Sequence, residues 1–159
     1  MLFPSSTDRT PRHSRREGTL TKKLIAPHVL LVDGDLMVRA LLAVSLKTLG
    51  CRIVTAGNGE EALRVLHAKP SVDLVVTEAA LPGMDGLELL CAIRQTNGLK
   101  QLPVILCAAS IDETMMKKAV ECGCGRYLLK PVHADFLFEQ IRSLMEQKAS
   151  HRGAASEQA

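Results

Sequence analysis

The segment DLVVTEAALPGMDG, residues 73–86, carries the reading that decides the fold. Leu74, Val75 and Val76 form a short apolar, β-branched run, the pattern of a strand buried on both faces. Glu78 stands where that strand should end. Pro82-Gly83 signals a turn. Asp85-Gly86-Leu87-Glu88 then opens a helix, with a carboxylate cap and a glutamate three places on. One acid therefore sits at the carboxyl end of a buried parallel strand, where open α/β sheets build their sites. Alone, Glu78 would pass for a solvated loop acid, since charged side chains are mostly exposed. Two other stretches change that reading.

Upstream, His28–Val32 (HVLLV) is another buried run, and it ends in Asp33-Gly34-Asp35. Residues 36–49 are apolar helix formers closed by Gly50. Arg52–Ala56 reads as a strand. Asn58 then caps a helix to Ala68, Glu61 reaches back, and Pro70 stops it. Downstream, residues 86–96 carry Leu87, Leu90 and Ile93 on one helical face, and Asn97-Gly98 breaks the run. Residues 103–107 form a fourth strand. Ser110 is expected to cap a helix to Glu121, with Glu113 at the third position and Met115, Ala119 and Cys122 facing inward. Arg126–Leu129 is a fifth strand, followed by Lys130-Pro131. A last helix spans residues 133–148, with Leu137, Ile141 and Leu144 in one stripe. His133 reads as a turn or cap residue, and neither His28 nor His67 has a partner constellation.

Five strands alternating with five helices imply right-handed crossovers and one parallel sheet covered on both sides. The expected fold is α/β, a single doubly wound five-stranded sheet in the order 2-1-3-4-5. Three loops then converge at one edge. They bring Asp33-Gly34-Asp35, Glu78 and Lys130 into one pocket. Acids beside a lysine can hold a hard cation and a phosphoryl group.

The totals agree with one domain plus tails in 159 residues. There is no Trp, one Tyr and three Phe, so the core must be aliphatic, and the scarcity counts against a base-stacking surface. The five cysteines, Cys51, Cys91, Cys107, Cys122 and Cys124, show no paired CxxC. They read as reduced thiols in a reducing compartment, mostly small core residues. No apolar run is long enough to span a membrane, and no secretory signal appears, so a cytoplasmic location is expected.

Residues 1–26 carry six basic and two acidic side chains, a charge of +4. They read as a disordered basic arm, and residues 149–159 as a flexible C-terminal tail. An arm of this kind can touch nucleic acid or lipid headgroups. A solvated tail, or a start site placed too far upstream, is the preferred reading.

HVLLVDGDLMVRALL, TAGNGEEAL, DLVVTEAALPGMDGLELL, LPVILCAA and CGRYLLKPV, in this order, resemble the receiver domain of bacterial two-component response regulators. The likeness covers residues 28–148, sets the domain at residues 27–148 and implies a flavodoxin-like fold. It also implies roles. Glu78 stands at the family's phosphorylated aspartate. Gly34 replaces the second acid, a direct Mg²⁺ ligand, while Asp33 is kept. Asp35 comes one place later and is more suited to capping the helix than to binding metal. Ala108 replaces the Ser or Thr that meets the phosphoryl group. Lys130 matches the phosphate-pairing lysine, whose bond to the following proline is cis in the family, and Tyr127 the switch aromatic.

The resemblance therefore implies a degenerate site. No catalytic residue and no cofactor are expected, with Mg²⁺ held only if Asp33 and Glu78, with or without Asp35, still suffice. The leading expectation is a stand-alone pseudo-receiver, not an enzyme, that works by protein–protein contact. Its partner would use the face of the fourth helix, fifth strand and fifth helix, or the first helix, and a homodimer is one form this could take. The alternative is a working receiver phosphorylated by a histidine kinase. DNA binding through the arm ranks last. A Glu78–Lys130 pair could either lock one state or merely neutralise two charges.

Overall fold

The computed structural model describes residues 26–68, 71–110 and 112–156. The basic arm, except Ala26, and the helix stop at Pro70 lie outside the described residues.

The chain alternates β1 (His28–Val32), α1 (Leu36–Thr48), β2 (Arg52–Ala56), α2 (Gly59–Ala68), β3 (Leu74–Glu78), α3 (Gly86–Gln95), β4 (Val104–Ala108), α4 (Glu113–Glu121), β5 (Arg126–Leu129) and α5 (Ala134–Ser156). The sheet runs β2-β1-β3-β4-β5, with every pair parallel. This is the doubly wound order read from the sequence. Because β1 and β3 are neighbours and the chain winds away from them in both directions, the crevice opens at their carboxyl ends.

The period-2 alternation of each strand splits the core in two. Leu30, Val32, Val75 and Leu106 face a cluster closed by Leu66 of α2, Leu90 and Ile93 of α3, and Ala119 of α4. Val29, Leu31, Val76 and Ile105 face the other side, under Leu46 of α1 and Leu137 and Ile141 of α5. Both faces are covered, which is why the central strands are mostly apolar, with polar residues only at or next to their ends.

Local signals account for the helix starts. Asp85 and Glu88 form a reciprocal capping box at α3. Asn58 Oδ1 accepts from the Glu61 amide at 2.8 Å, and Glu61 Oε2 accepts from the Gly57 amide at 2.7 Å. At α4 the cap is Asp112 rather than Ser110, and its carboxylate accepts from the Met115 amide. The helix begins later because a carboxylate at Asp112 outcompetes a hydroxyl two residues upstream for the open amides.

At the other end, α5 continues to Ser156, where a frayed tail was expected. These turns bury little, so they give no apolar stripe to read. They are held by helix-forming Ala, Glu, Gln and Lys residues and by bonds such as Ser150 Oγ to the Glu146 carbonyl. The cysteines also differ from expectation. All five are free thiols, but Cys91, Cys122 and Cys124 are only half buried, because they lie on and beside α3 and α4 rather than under the sheet.

Candidate functional site

Asp33 follows β1, Glu78 closes β3 and Lys130 follows β5, so three strand ends aim three charges at one point. The Lys130 ammonium donates to Glu78 Oε1 at 2.8 Å and to Asp33 Oδ2 at 3.1 Å. Asp33 is buried, at 3% exposure. Its Oδ1 accepts from the Asp35 amide at 2.8 Å, and Glu78 Oε2 accepts from the Gly34 amide at 3.2 Å. All four carboxylate oxygens of the pair are thus already engaged.

Burial works against the Lys130 charge, but hydrogen bonds to Glu78 and Asp33 and their negative charges outweigh it, so its pKa is raised above 10.5. Beneath the cluster, burial pushes the Cys107 thiol up to about 12 and keeps it neutral. The Lys130-Pro131 peptide bond is cis, as the resemblance implied.

The other site residues fall as follows. Asp35 caps α1, its Oδ1 accepting from the Met37 and Val38 amides at 2.8 and 3.0 Å. Gly34 lies against the Pro82 ring: a Cβ there would stand 3.2 Å from Pro82 Cδ and 3.8 Å from Glu78 Oε2. Ala108 is buried and brings no hydroxyl to the cluster. Tyr127 packs against the core, and its buried hydroxyl bonds to no described group. The structure therefore gathers Asp33, Glu78 and Lys130 and leaves Asp35 turned to the helix.

Two residues escaped the sequence reading. Arg39 donates from its guanidinium to the Asp33 carbonyl, and the only hint was its place one turn after Asp35. Gly86 read as an ordinary first helical residue. Its α-carbon is pressed against the Glu78 carbonyl, so that a Cβ would stand 2.2 Å from that oxygen. This contact sets how closely α3 approaches the end of β3.

A hollow of about 450 Å³ opens beside the charges, walled by Val38 and Leu41 of α1, Pro131, Val132 and Leu137. Mg²⁺ demands near-octahedral oxygen ligands. Two carboxylates whose oxygens hold a lysine and two amides do not supply that set. No group of three His, Cys, Asp or Glu side chains suited to a metal comes together among the described residues. The residues present do not fit the ion as they are arranged.

A parallel 2-1-3-4-5 sheet with acids and a lysine at its switch point defines a doubly wound domain of the flavodoxin-like type. Comparison with known proteins fixes the family. Residues 29–142 match the response regulator receiver domain model. The chain belongs to that family, and so to two-component signalling.

A transcriptional regulatory protein of Streptomyces coelicolor, AfsQ1, is 36% identical over 121 residues, which are 76% of this chain and 52% of that protein. The chain thus spans about half the length of that relative. The two-component response regulator ORR5 of Oryza sativa subsp. japonica is 34% identical over 67% of this chain and 80% of its own length. Among solved structures, the signal receiver domain of an HD domain-containing protein from Pseudomonas fluorescens superposes with a TM-score of 0.72 at 32% identity. That match covers 79% of this chain and 98% of the other.

Proposed function

We propose that this receiver domain works as a pseudo-receiver, passing its signal by protein contact rather than by a phosphorylation cycle. The supporting observation is the saturated cluster: Lys130 holds Glu78 Oε1 while the Gly34 amide holds Oε2. A phosphoacceptor needs a free carboxylate oxygen in line with the donor phosphorus. Glutamate also places that oxygen roughly 1 Å beyond the aspartate position, a displacement that can cost on the order of a hundredfold. Gly34 withholds a metal ligand, and Ala108 offers no hydroxyl to a phosphoryl oxygen.

The test is direct. Incubation with Mg²⁺ and a small acyl phosphate is expected to leave the mass unchanged, where one phosphoryl group would add about 80 Da. A gain of that size, abolished in Glu78→Gln, would establish the second reading: an atypical receiver served by a histidine kinase. The retained Asp33 and Lys130 are what favour that second reading.

The contact surface we assign is α1. Met37, Leu41 and Val44 lie 75%, 69% and 63% exposed, and their spacing puts them on one helical face. An apolar stripe of this kind suits a helical protein partner. The α4–β5–α5 face offers the more scattered Met116, Val120 and Leu129. Met37→Glu is expected to change stability by no more than about 0.5 kcal/mol. It should weaken capture of the partner by about tenfold or more. Capture unchanged in Met37→Glu but lost in Val120→Glu would move the surface to the second face. We further propose that the domain acts in the cytoplasm and is not an enzyme. No helix among the described residues is long and apolar enough to cross a membrane.

A further inference from the structure

On the side of the molecule away from α1, two cysteines meet. Cys91 lies on α3 and Cys122 caps the C-terminus of α4, and their sulfurs are 2.6 Å apart. That separation is well inside the contact distance of two unbonded sulfurs. Both thiols are half buried, so reagents can reach them. We propose that Cys91 and Cys122 form a reversible disulfide by exchange with a low-molecular-weight disulfide, stapling α4 to α3.

The surroundings place charged groups beside both sulfurs. Arg94, one turn after Cys91, donates to the Leu102 and Gly123 carbonyls at 2.8 Å each, which fixes its guanidinium beside the α4 terminus. Its positive charge acts on the Cys122 and Cys124 sulfurs. Burial, the bond to Cys122 and the charges of Cys122 and Asp85 raise the Cys91 thiol to about 11. The thiolate is the attacking species. With Cys122 written as the first nucleophile, it gives its proton to solvent and attacks one sulfur of the small disulfide, forming a mixed disulfide and expelling one small thiolate, which takes up a proton. Cys91 then gives its proton to solvent and attacks the Cys122 sulfur. The protein disulfide forms and the second small thiol leaves. Two protein thiols are oxidised, and one small disulfide is reduced to two thiols.

Cys124 is the obvious competitor, two residues from Cys122. Its thiol points elsewhere, donating to the Arg126 carbonyl at 2.9 Å. The bridge matters because α4 is lightly docked: Ala119 is its one fully buried residue among those described. A covalent tie to α3 closes a loop of the chain and restrains the helix that this packing leaves weakly held.

The experiment uses the full chain, reduced and then incubated with oxidised glutathione without denaturant. The expected product has lost about 2 Da and carries a Cys91–Cys122 link in a non-reduced peptide map. Its melting temperature should exceed that of the same sample after dithiothreitol by about 5–10 °C. Cys124→Ser should keep the link, while Cys91→Ser and Cys122→Ser should each lose it. A glutathione adduct that never resolves, or a link that survives Cys122→Ser, would overturn the proposal. The reduced parent and Cys124→Ser serve as folded references if either cysteine variant is unstable.

Discussion

Gly86→Ala should be the most damaging single methyl group that can be added to this domain. The added carbon would stand 2.2 Å from the Glu78 carbonyl oxygen, 2.9 Å from Leu106 Cδ1 and 3.0 Å from the Ala79 α-carbon. Leu106 could turn aside, but the other two neighbours are main chain of β3 and the residue after it. Relief would require α3 to back away, and α3 buries Leu89, Leu90 and Ile93 against the sheet. It would also stretch the 2.8 Å bond from the Gly86 amide to the Ala79 carbonyl. Overpacking commonly costs 1–3 kcal/mol, and a main-chain clash lies at the upper end, so about 3 kcal/mol or more is expected. Against a typical stability of about 5–15 kcal/mol, that is a large share. Urea unfolding measures it directly. A loss below about 1 kcal/mol would mean that α3 can slide without penalty.

Lys130→Met should have the second largest effect. The methionine keeps much of the stem but removes the cation that Asp33 and Glu78 share. Asp33 is then left buried with its Asp35 amide bond alone. Breaking a fully buried pair costs about 3–5 kcal/mol. Lys130 is a quarter exposed, so screening trims the expectation to about 2 kcal/mol.

The same pair makes a pH prediction. Folding raises the Lys130 pKa above 10.5, so the folded state holds this proton more tightly than the unfolded chain. The stabilisation is whole below pH 10.5 and is lost as pH rises through the raised folded-state value. The stability gap between parent and Lys130→Met should therefore narrow in alkali and stay constant through neutral pH. A gap independent of pH up to strong alkali would show that the methionine acts by packing and not by charge.

Most of this was legible beforehand for definite reasons. The strands were readable because each is a short run, mostly apolar and rich in β-branched residues in all but β5, between turn signals, and the alternation with helices left one economical topology. Asp33, Glu78 and Lys130 were readable because each stands at a strand end in that topology. What stayed hidden depended on three-dimensional neighbours. Ser110 and Asp112 are both good cap residues two places apart, and periodicity does not show that the carboxylate takes the open amides. Gly86 looks like any helix start until the approach of α3 to β3 is known. The outer turns of α5 carry no buried stripe, and hydrophobic periodicity is silent about a helix segment that stays exposed. Cys91 and Cys122 are far apart in sequence, and the spacing of cysteines says nothing of which helices lie side by side.

The reach of α5 has a consequence of its own. At 1.5 Å per residue its 23 residues extend about 34 Å, twice the roughly 17 Å of a five-residue strand. It starts beside Lys130, and its last turns pass Asp73 and Pro103 at the opposite pole of the sheet. The helix therefore runs from one pole of the sheet to the other. A molecule gripping its far end would leave the charged crevice bare, so the domain has room to be held from below while something else reads it from above.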